Sequence, residues 1–126
     1  MILYSPLVRA SDTAKHIHEM TGIPMQEERR LIEQNFGVFE GTARDGEAFR
    51  KAKMQFAERF ETGESMLQMA QRIYNLLDEL KQSDRTYILV AHNGIARVVH
   101  SYFYPMNNET YADFGIRNAE LRRYEF

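Results

Sequence analysis

His92 stands where an apolar run stops. Tyr87-Ile-Leu-Val-Ala91 leads into it, Asn93 and Gly94 follow, and a segment with helical spacing takes over. A short apolar run bounded by turn residues reads as a fully buried strand, typical of a parallel sheet covered on both faces. Ligands of open α/β sheets lie just beyond the carboxyl ends of such strands, which is where His92 falls. Asn93 and Gly94 both tolerate positive φ, which a sharp strand-to-helix turn often requires. The helix beyond would aim free backbone N–H groups and its positive dipole end at whatever His92 faces, favouring an anion. The alternative is a hydrogen-bonded, inert histidine capping a strand. Its position and neighbours favour a functional role.

Arg9 is the second candidate, because it follows a strand end and falls in the first turn of a capped helix. A guanidinium binds phosphate or carboxylate through a planar fork, and a helix start adds N–H donors. The commoner fate of an arginine is an exposed helical face, so the weight lies on two junctions of the same kind. Glu33, on the loop Leu31-Ile-Glu-Gln-Asn-Phe-Gly-Val-Phe-Glu-Gly41, is the third. A carboxylate on a glycine-bearing loop with aromatic neighbours can serve as a general acid, although most glutamates are simply solvated. Glu40 competes with it, but its place before Gly41 suits a loop-fixing role. His16 and His18, two apart on a helical segment, face different ways and make a poor metal pair. Both read as surface residues, and His100 as structural or exposed. Arg44, Lys51 and Lys53 either meet an anionic substrate or line a solvated helix face, the latter being commoner. No metal motif of recognised spacing occurs.

The elements that must position these groups alternate. Met1–Tyr4 reads as a strand. A helix with Ser5 as N-cap and Pro6 at its first position runs toward Met20, with Leu7, Ala10, Ala14 and Ile17 on its apolar stripe. Gly22 is its C-cap. Met25–Leu31 is a short strand followed by irregular chain, and Gly37 and Gly41 mark a loop. From Gly46 the spacing of Phe49, Ala52, Phe56 and Phe60 is helical. Ser65 and Gln68 form a capping box, opening a long helix with Leu67, Ala70, Ile73, Tyr74, Leu77 and Leu80 on one face. Met66 and Met69 beside it read as core filler. After the His92 strand comes a helix through Val98, Val99 and Tyr102, then a turn over Pro105–Asn108. The tail, Ile116 to Phe126, reads as ending in a strand. This order of strands and helices points to an α/β sandwich.

The chain of 126 residues is long enough for one domain with a core. A formal charge of −2 gives no general pull toward nucleic acid or membrane, so any anion site is local. With no cysteine there is no disulfide framework, thiolate nucleophile or cysteine-based metal site. No apolar run is long enough to span a bilayer and nothing at the start resembles a signal peptide, so the expectation is a soluble cytoplasmic protein.

Taken together, these segments resemble the histidine phosphatase superfamily, the phosphoglycerate mutase-like phosphatases and mutases. Ser5-Pro-Leu-Val-Arg-Ala-Ser-Asp-Thr-Ala14 looks like its SPLxRAxxTA segment. Leu31-Ile-Glu33 through Phe36-Gly37 and Glu40-Gly41 is similar to its LxExxFGxxEG loop. Gly63-Glu64-Ser65 matches its helix start, and Val90-Ala-His-Asn-Gly-Ile-Ala-Arg97 its second-histidine motif. The matches fall in the family's order over nearly the whole chain. The resemblance implies a three-layer α/β sandwich with a mostly parallel sheet. It implies that Arg9 binds the transferred phosphoryl group, that Glu33 gives a proton to the leaving oxygen, and that His92 contacts the phosphoryl group and stabilises its charge. The residue after His92 supplies a backbone N–H, with Asn93 in place of the usual glycine. Neither metal nor cofactor is implied, and the partner is a small phosphorylated molecule or phosphate.

One departure limits that implication. The family's strand ending in Arg-His-Gly carries the nucleophilic histidine, and no Arg-His-Gly occurs in this sequence. Residues 1–126 are thus expected to form a single but N-terminally incomplete domain. The strand position beside the one ending at His92 is expected to be vacant, exposing backbone donors and acceptors. Such a chain would bind phosphate weakly and turn over phosphomonoesters poorly or not at all. A non-catalytic module pairing through the vacant position, as a homodimer, is the alternative.

Overall fold

A computed structural model of the chain describes residues 1–41, 46–47, 50–51 and 55–126. Its centre is a three-stranded, all-parallel sheet of β1 (Ile2–Tyr4), β2 (Met25–Glu27) and β3 (Ile88–Val90), in the order β2-β1-β3. Ile2 pairs with Met25 on one side and Ile88 on the other, so the carboxyl ends of β1 and β3 finish level.

Helix α1 (Val8–Thr21) packs on the sheet. Its buried residues, Ala10 and Ala14, are small, which lets the helix lie close to the strands. Helices α2 (Met66–Lys81) and α3 (Asn93–Phe103) pack against each other. Alternation along β1 directs Leu3 into the cluster that α2 and α3 build from Met69, Ile73, Leu76, Ile95 and Val98. Ile2, fully buried, points the other way. The result is the expected α/β layering, with a helix on one face and a helix pair on the other.

The capping box forms as expected: the Gln68 N–H donates to the Ser65 hydroxyl and the Ser65 N–H to the Gln68 side chain. Gly22, at φ 72°, ends α1 in the left-handed conformation with its N–H on the His18 carbonyl. Met69 is buried as core filler.

Several expectations are corrected. Helix α1 starts at Val8 rather than at Pro6, because the Ser5 N–H continues the sheet ladder to the Val90 carbonyl at 2.9 Å and Leu7 is still extended. Strand β3 is half-buried throughout rather than fully buried, since β1 is its only strand partner among the described residues. Leu67 faces solvent and the buried stripe of α2 runs through Met69, Ile73, Leu76, Leu77 and Leu80. Glu47, Arg50 and Lys51 are helical, but Phe56 and Phe60 lie in turns, Phe60 at φ 58°. Of the residues behind that helical spacing, Phe49 and Ala52 lie outside the described residues. A short helix α4 (Asn108–Asp113), capped by the Asn107 side chain, follows the Pro105 turn.

The tail is not a strand. It docks through aromatic side chains instead: Tyr124 stacks on Phe103 at 4.8 Å, and Phe126 lies 5.3 Å from the same ring.

Candidate active site

His92 caps the start of α3 from an extended conformation, φ −135° and ψ 168°. Neither Asn93 nor Gly94 has positive φ, contrary to the expectation, because the chain passes from His92 straight into the helix. Nε2 of His92 lies 2.7 Å from the Ser5 hydroxyl, which joins the ends of β3 and β1 at the level where both strands stop. Ser5 is fully buried, and its oxygen also accepts the Leu7 N–H at 3.3 Å.

Glu33 reaches the same place from its loop. One carboxylate oxygen accepts the Gly94 N–H at 3.2 Å and the other accepts its neighbour Gln34's N–H at 2.9 Å. Gly94 is needed here for space. A Cβ at that position would lie 2.4 Å from the Glu33 carboxylate. The first turn of α3 thus spends a free N–H on Glu33, and a carboxylate near a helix start is favoured by the dipole.

A rigid frame holds the Glu33 loop. The Gln34 amide donates to the Glu64 carbonyl at 3.0 Å, and the Glu64 N–H donates to the Asn35 carbonyl at 2.7 Å. Gly37, at φ 56°, passes so close to Phe60 that a Cβ would lie 2.1 Å from its carbonyl oxygen. Arg72 then clamps the Glu64 carboxylate with two bonds of 2.8 Å and donates a third to the Arg30 carbonyl. The Glu40 carboxylate accepts the Phe36 N–H at 2.7 Å, the loop-fixing role expected of it.

The guanidinium of Arg9, on the exposed first turn of α1, has no hydrogen-bond or ion-pair partner among the described residues, while the Arg9 carbonyl accepts the Thr13 hydroxyl at 3.0 Å. Burial holds His92 below the ordinary histidine value. The Glu33 carboxylate pulls it up and the Arg9 guanidinium pushes it down, so both charges are felt at the imidazole. Three of the residues read from sequence are therefore brought to one end of the sheet.

The side chain of Asn93, the fourth, has a structural role apart from its backbone N–H. Its side-chain oxygen accepts the Ile116 N–H at 2.9 Å, and Arg97 donates to the Phe114 carbonyl at 2.9 Å. The two bonds tie the tail to the first turns of α3. Lys51 is exposed and paired with Glu47, whereas Arg44 and Lys53 lie outside the described residues. His16 is exposed, but His18 is half-buried with Nδ1 2.6 Å from the Ile23 carbonyl oxygen, fixing the turn after α1. His100 is structural, stacked 4.2 Å from Phe114. No group of three histidine, aspartate or glutamate side chains among the described residues is arranged to hold a metal.

Sequence reasoning missed Tyr111 as part of this neighbourhood and gave Ser5 and Gly94 other roles, a helix cap and a turn. Tyr111 is buried, edge-on to Phe56 at 5.9 Å, with the Arg97 guanidinium 5.8 Å from its ring centre. Its hydroxyl is the sole buried side-chain polar atom without a partner among the described residues, and burial pushes its pKa up to about 12. A guanidinium without a protein partner, an imidazole, a carboxylate and a helix start meeting at level strand ends suit an oxyanion that exchanges protons.

The chain belongs to the histidine phosphatase superfamily (branch 1), whose family model matches residues 1–126. It is 30% identical over 135 residues to a probable phosphoglycerate mutase, GpmB, of Yersinia pestis (strain Pestoides F), covering 99% of this chain and 62% of that protein. A 6-phosphofructo-2-kinase/fructose-2,6-bisphosphatase of Arabidopsis thaliana is 25% identical over 142 residues, covering 96% of this chain and 18% of the relative. Among solved structures, a mycobacterial glucosyl-3-phosphoglycerate phosphatase in complex with inorganic phosphate superposes with a TM-score of 0.76 at 27% identity, over 91% of this chain and 63% of that one. The chain thus spans less than two thirds of the length of these relatives. No helix among the described residues is long and apolar enough to cross a membrane.

Proposed function

We propose that these 126 residues carry the phosphate-holding half of a phosphomonoester-processing site and, on their own, turn substrate over poorly or not at all. The observation that carries this reading is the convergence of Arg9, Glu33 and His92 at the ends of β1 and β3, with both charges acting on the imidazole. Arg9 grips the phosphoryl oxygens through its unpaired fork, and His92 adds a donor that strengthens as negative charge builds. The Asn93 N–H, at the open first turn of α3, is a further donor. Glu33, held by the Gly94 N–H, is placed to give a proton to a departing oxygen. Support for the substrate class comes from the relatives, one of which is a phosphatase solved with inorganic phosphate.

Poor turnover follows from the chemistry. The four histidines are His16, His18, His92 and His100, and none stands in an Arg-His-Gly turn. Of these only His92 lies at the site, and it is already committed to charge stabilisation. The test is p-nitrophenyl phosphate hydrolysis by the pure chain. Background-level rates are expected, together with inorganic phosphate binding that weakens in Arg9→Ala. Robust turnover that disappears in His92→Ala would contradict the poor-turnover reading.

The edge of β3 away from β1, unpaired among the described residues, favours a second reading, a module that pairs with a second copy through that edge. Ile88, Leu89 and Val90 carry no charge or proline to block strand addition. Sedimentation or light scattering giving twice the chain mass supports it; a strictly monomeric, folded chain counts against it.

A further inference from the structure

We propose that Ser5 is a positioning residue that holds the His92 ring by Nε2 in both of its protonation states, leaving Nδ1 as the nitrogen presented to a phosphoryl ligand. This rests on the reading that His92 faces phosphate.

The geometry of Ser5 leaves little choice. Its side chain is fully buried, and its backbone N–H is fixed to the Val90 carbonyl at 2.9 Å. A hydroxyl has one O–H to give and two lone pairs. One lone pair takes the Leu7 N–H at 3.3 Å, so one donor and one acceptor remain for Nε2 at 2.7 Å. When the imidazole is neutral, the hydroxyl donates to a bare Nε2. When the imidazole is charged, the hydroxyl turns and accepts from Nε2–H. The ring thus stays put as its charge changes, and Nδ1 has no partner among the described residues.

Capping of α1 does not account for this hydroxyl. The helix starts at Val8 with Leu7 as N-cap and no side-chain cap bond, leaving Ser5 ahead of the cap. Nor is the serine a generic buried polar group. It joins the two strands whose ends carry Arg9 and His92, and it touches one of them directly.

Because the fully buried hydroxyl keeps its own O–H bonded only by donating, neutral His92 in the ligand-free chain is expected to be the Nδ1–H tautomer. Long-range ¹⁵N–¹H spectra of the imidazole, recorded above the histidine titration, read this without any ligand. The expected wild-type pattern is Nδ1–H, moving toward Nε2–H in Ser5→Ala and retained in Ser5→Thr, which keeps the hydroxyl. Inorganic phosphate titrated into the same samples should bind Ser5→Ala about fivefold more weakly, the scale of one neutral hydrogen bond, and Ser5→Thr nearly as the wild type. An Nε2–H tautomer in the wild type overturns the proposal, even if Ser5→Ala does not fold. So does a folded Ser5→Ala that keeps both the wild-type tautomer and the wild-type phosphate affinity. Absence of phosphate binding by the wild type would instead defeat the phosphate reading of the site, with the tautomer still deciding the role of Ser5.

Discussion

Arg30 and Arg9 each follow a strand of the same sheet, and they have opposite surroundings. Arg30, just past β2, forks onto the Glu28 carboxylate with bonds of 3.0 and 2.9 Å and onto Glu79 of α2 with two bonds of 2.9 Å. The pairing raises the arginine's pKa further and holds Glu28 and Glu79 below their ordinary values. Arg9, just past β1, is exposed, and its guanidinium has no hydrogen-bond or ion-pair partner among the described residues. Residue type therefore says little by itself about function. What differs is whether the fold supplies a counter-charge. On the β2 flank it does, and the arginine fastens the sheet to α2. At the β1 and β3 ends it does not, and the cation is left for something from outside.

If that division is right, changes to the flank should cost stability and changes at the strand ends should cost ligand binding. The largest loss of stability belongs to Gly37→Ala, in the frame of the Glu33 loop rather than on the flank itself. It combines a left-handed backbone with a Cβ 2.1 Å from the Phe60 carbonyl oxygen, so chemical denaturation should show a loss of about 3 kcal/mol or more. Arg72→Ala should cost roughly 2 kcal/mol, because it leaves the half-buried Glu64 carboxylate and the Arg30 carbonyl without their donors. Arg30→Ala should cost less, about 1 kcal/mol, since Glu79 is largely exposed and screened. None of the three touches the site directly.

pH divides the molecule along another line. Burial lowers the pKa of both His92 and His100, with Arg9 acting in the same sense on His92 and Arg122 on His100. A histidine that is harder to protonate when folded is protonated first in the unfolded chain. Its stabilisation is therefore fully present above the ordinary value of 6.5 and is lost as pH falls through that value and then through the folded one. Thermal melts should accordingly shift down on acidification across this window. His92→Asn should remove part of that slope and leave the part due to His100, which sits stacked at the far end of α3.

Parts of this arrangement were legible in the sequence because their causes are local. The Ser65 and Gln68 pair, the Gly22 cap and the strand ending at His92 depend on neighbours a few residues away. Ser5 reads as a helix cap because a serine ahead of a proline signals that chemistry locally; its actual partner lies 87 residues away. Gly94 looked like a turn glycine, whereas its need is room for Glu33, 61 residues earlier. Tyr111 carried no signal at all, since only packing buries its hydroxyl. The tail, holding Leu121, Tyr124 and Phe126, reads as a strand, but the Tyr124 ring meets Phe103 and its hydroxyl meets His100 instead of a backbone partner.

The contrast between the two arginines is tested most directly by calorimetric titration of inorganic phosphate into the wild-type chain, Arg9→Ala and Arg30→Ala at one ionic strength. Arg9→Ala should lose at least tenfold in affinity, about 1.4 kcal/mol, with stability within about 0.5 kcal/mol of wild type. Arg30→Ala should bind phosphate as the wild type does while melting earlier. Equal loss of phosphate binding in both variants, or none in Arg9→Ala, would contradict the assignment of the unpaired arginine to the ligand.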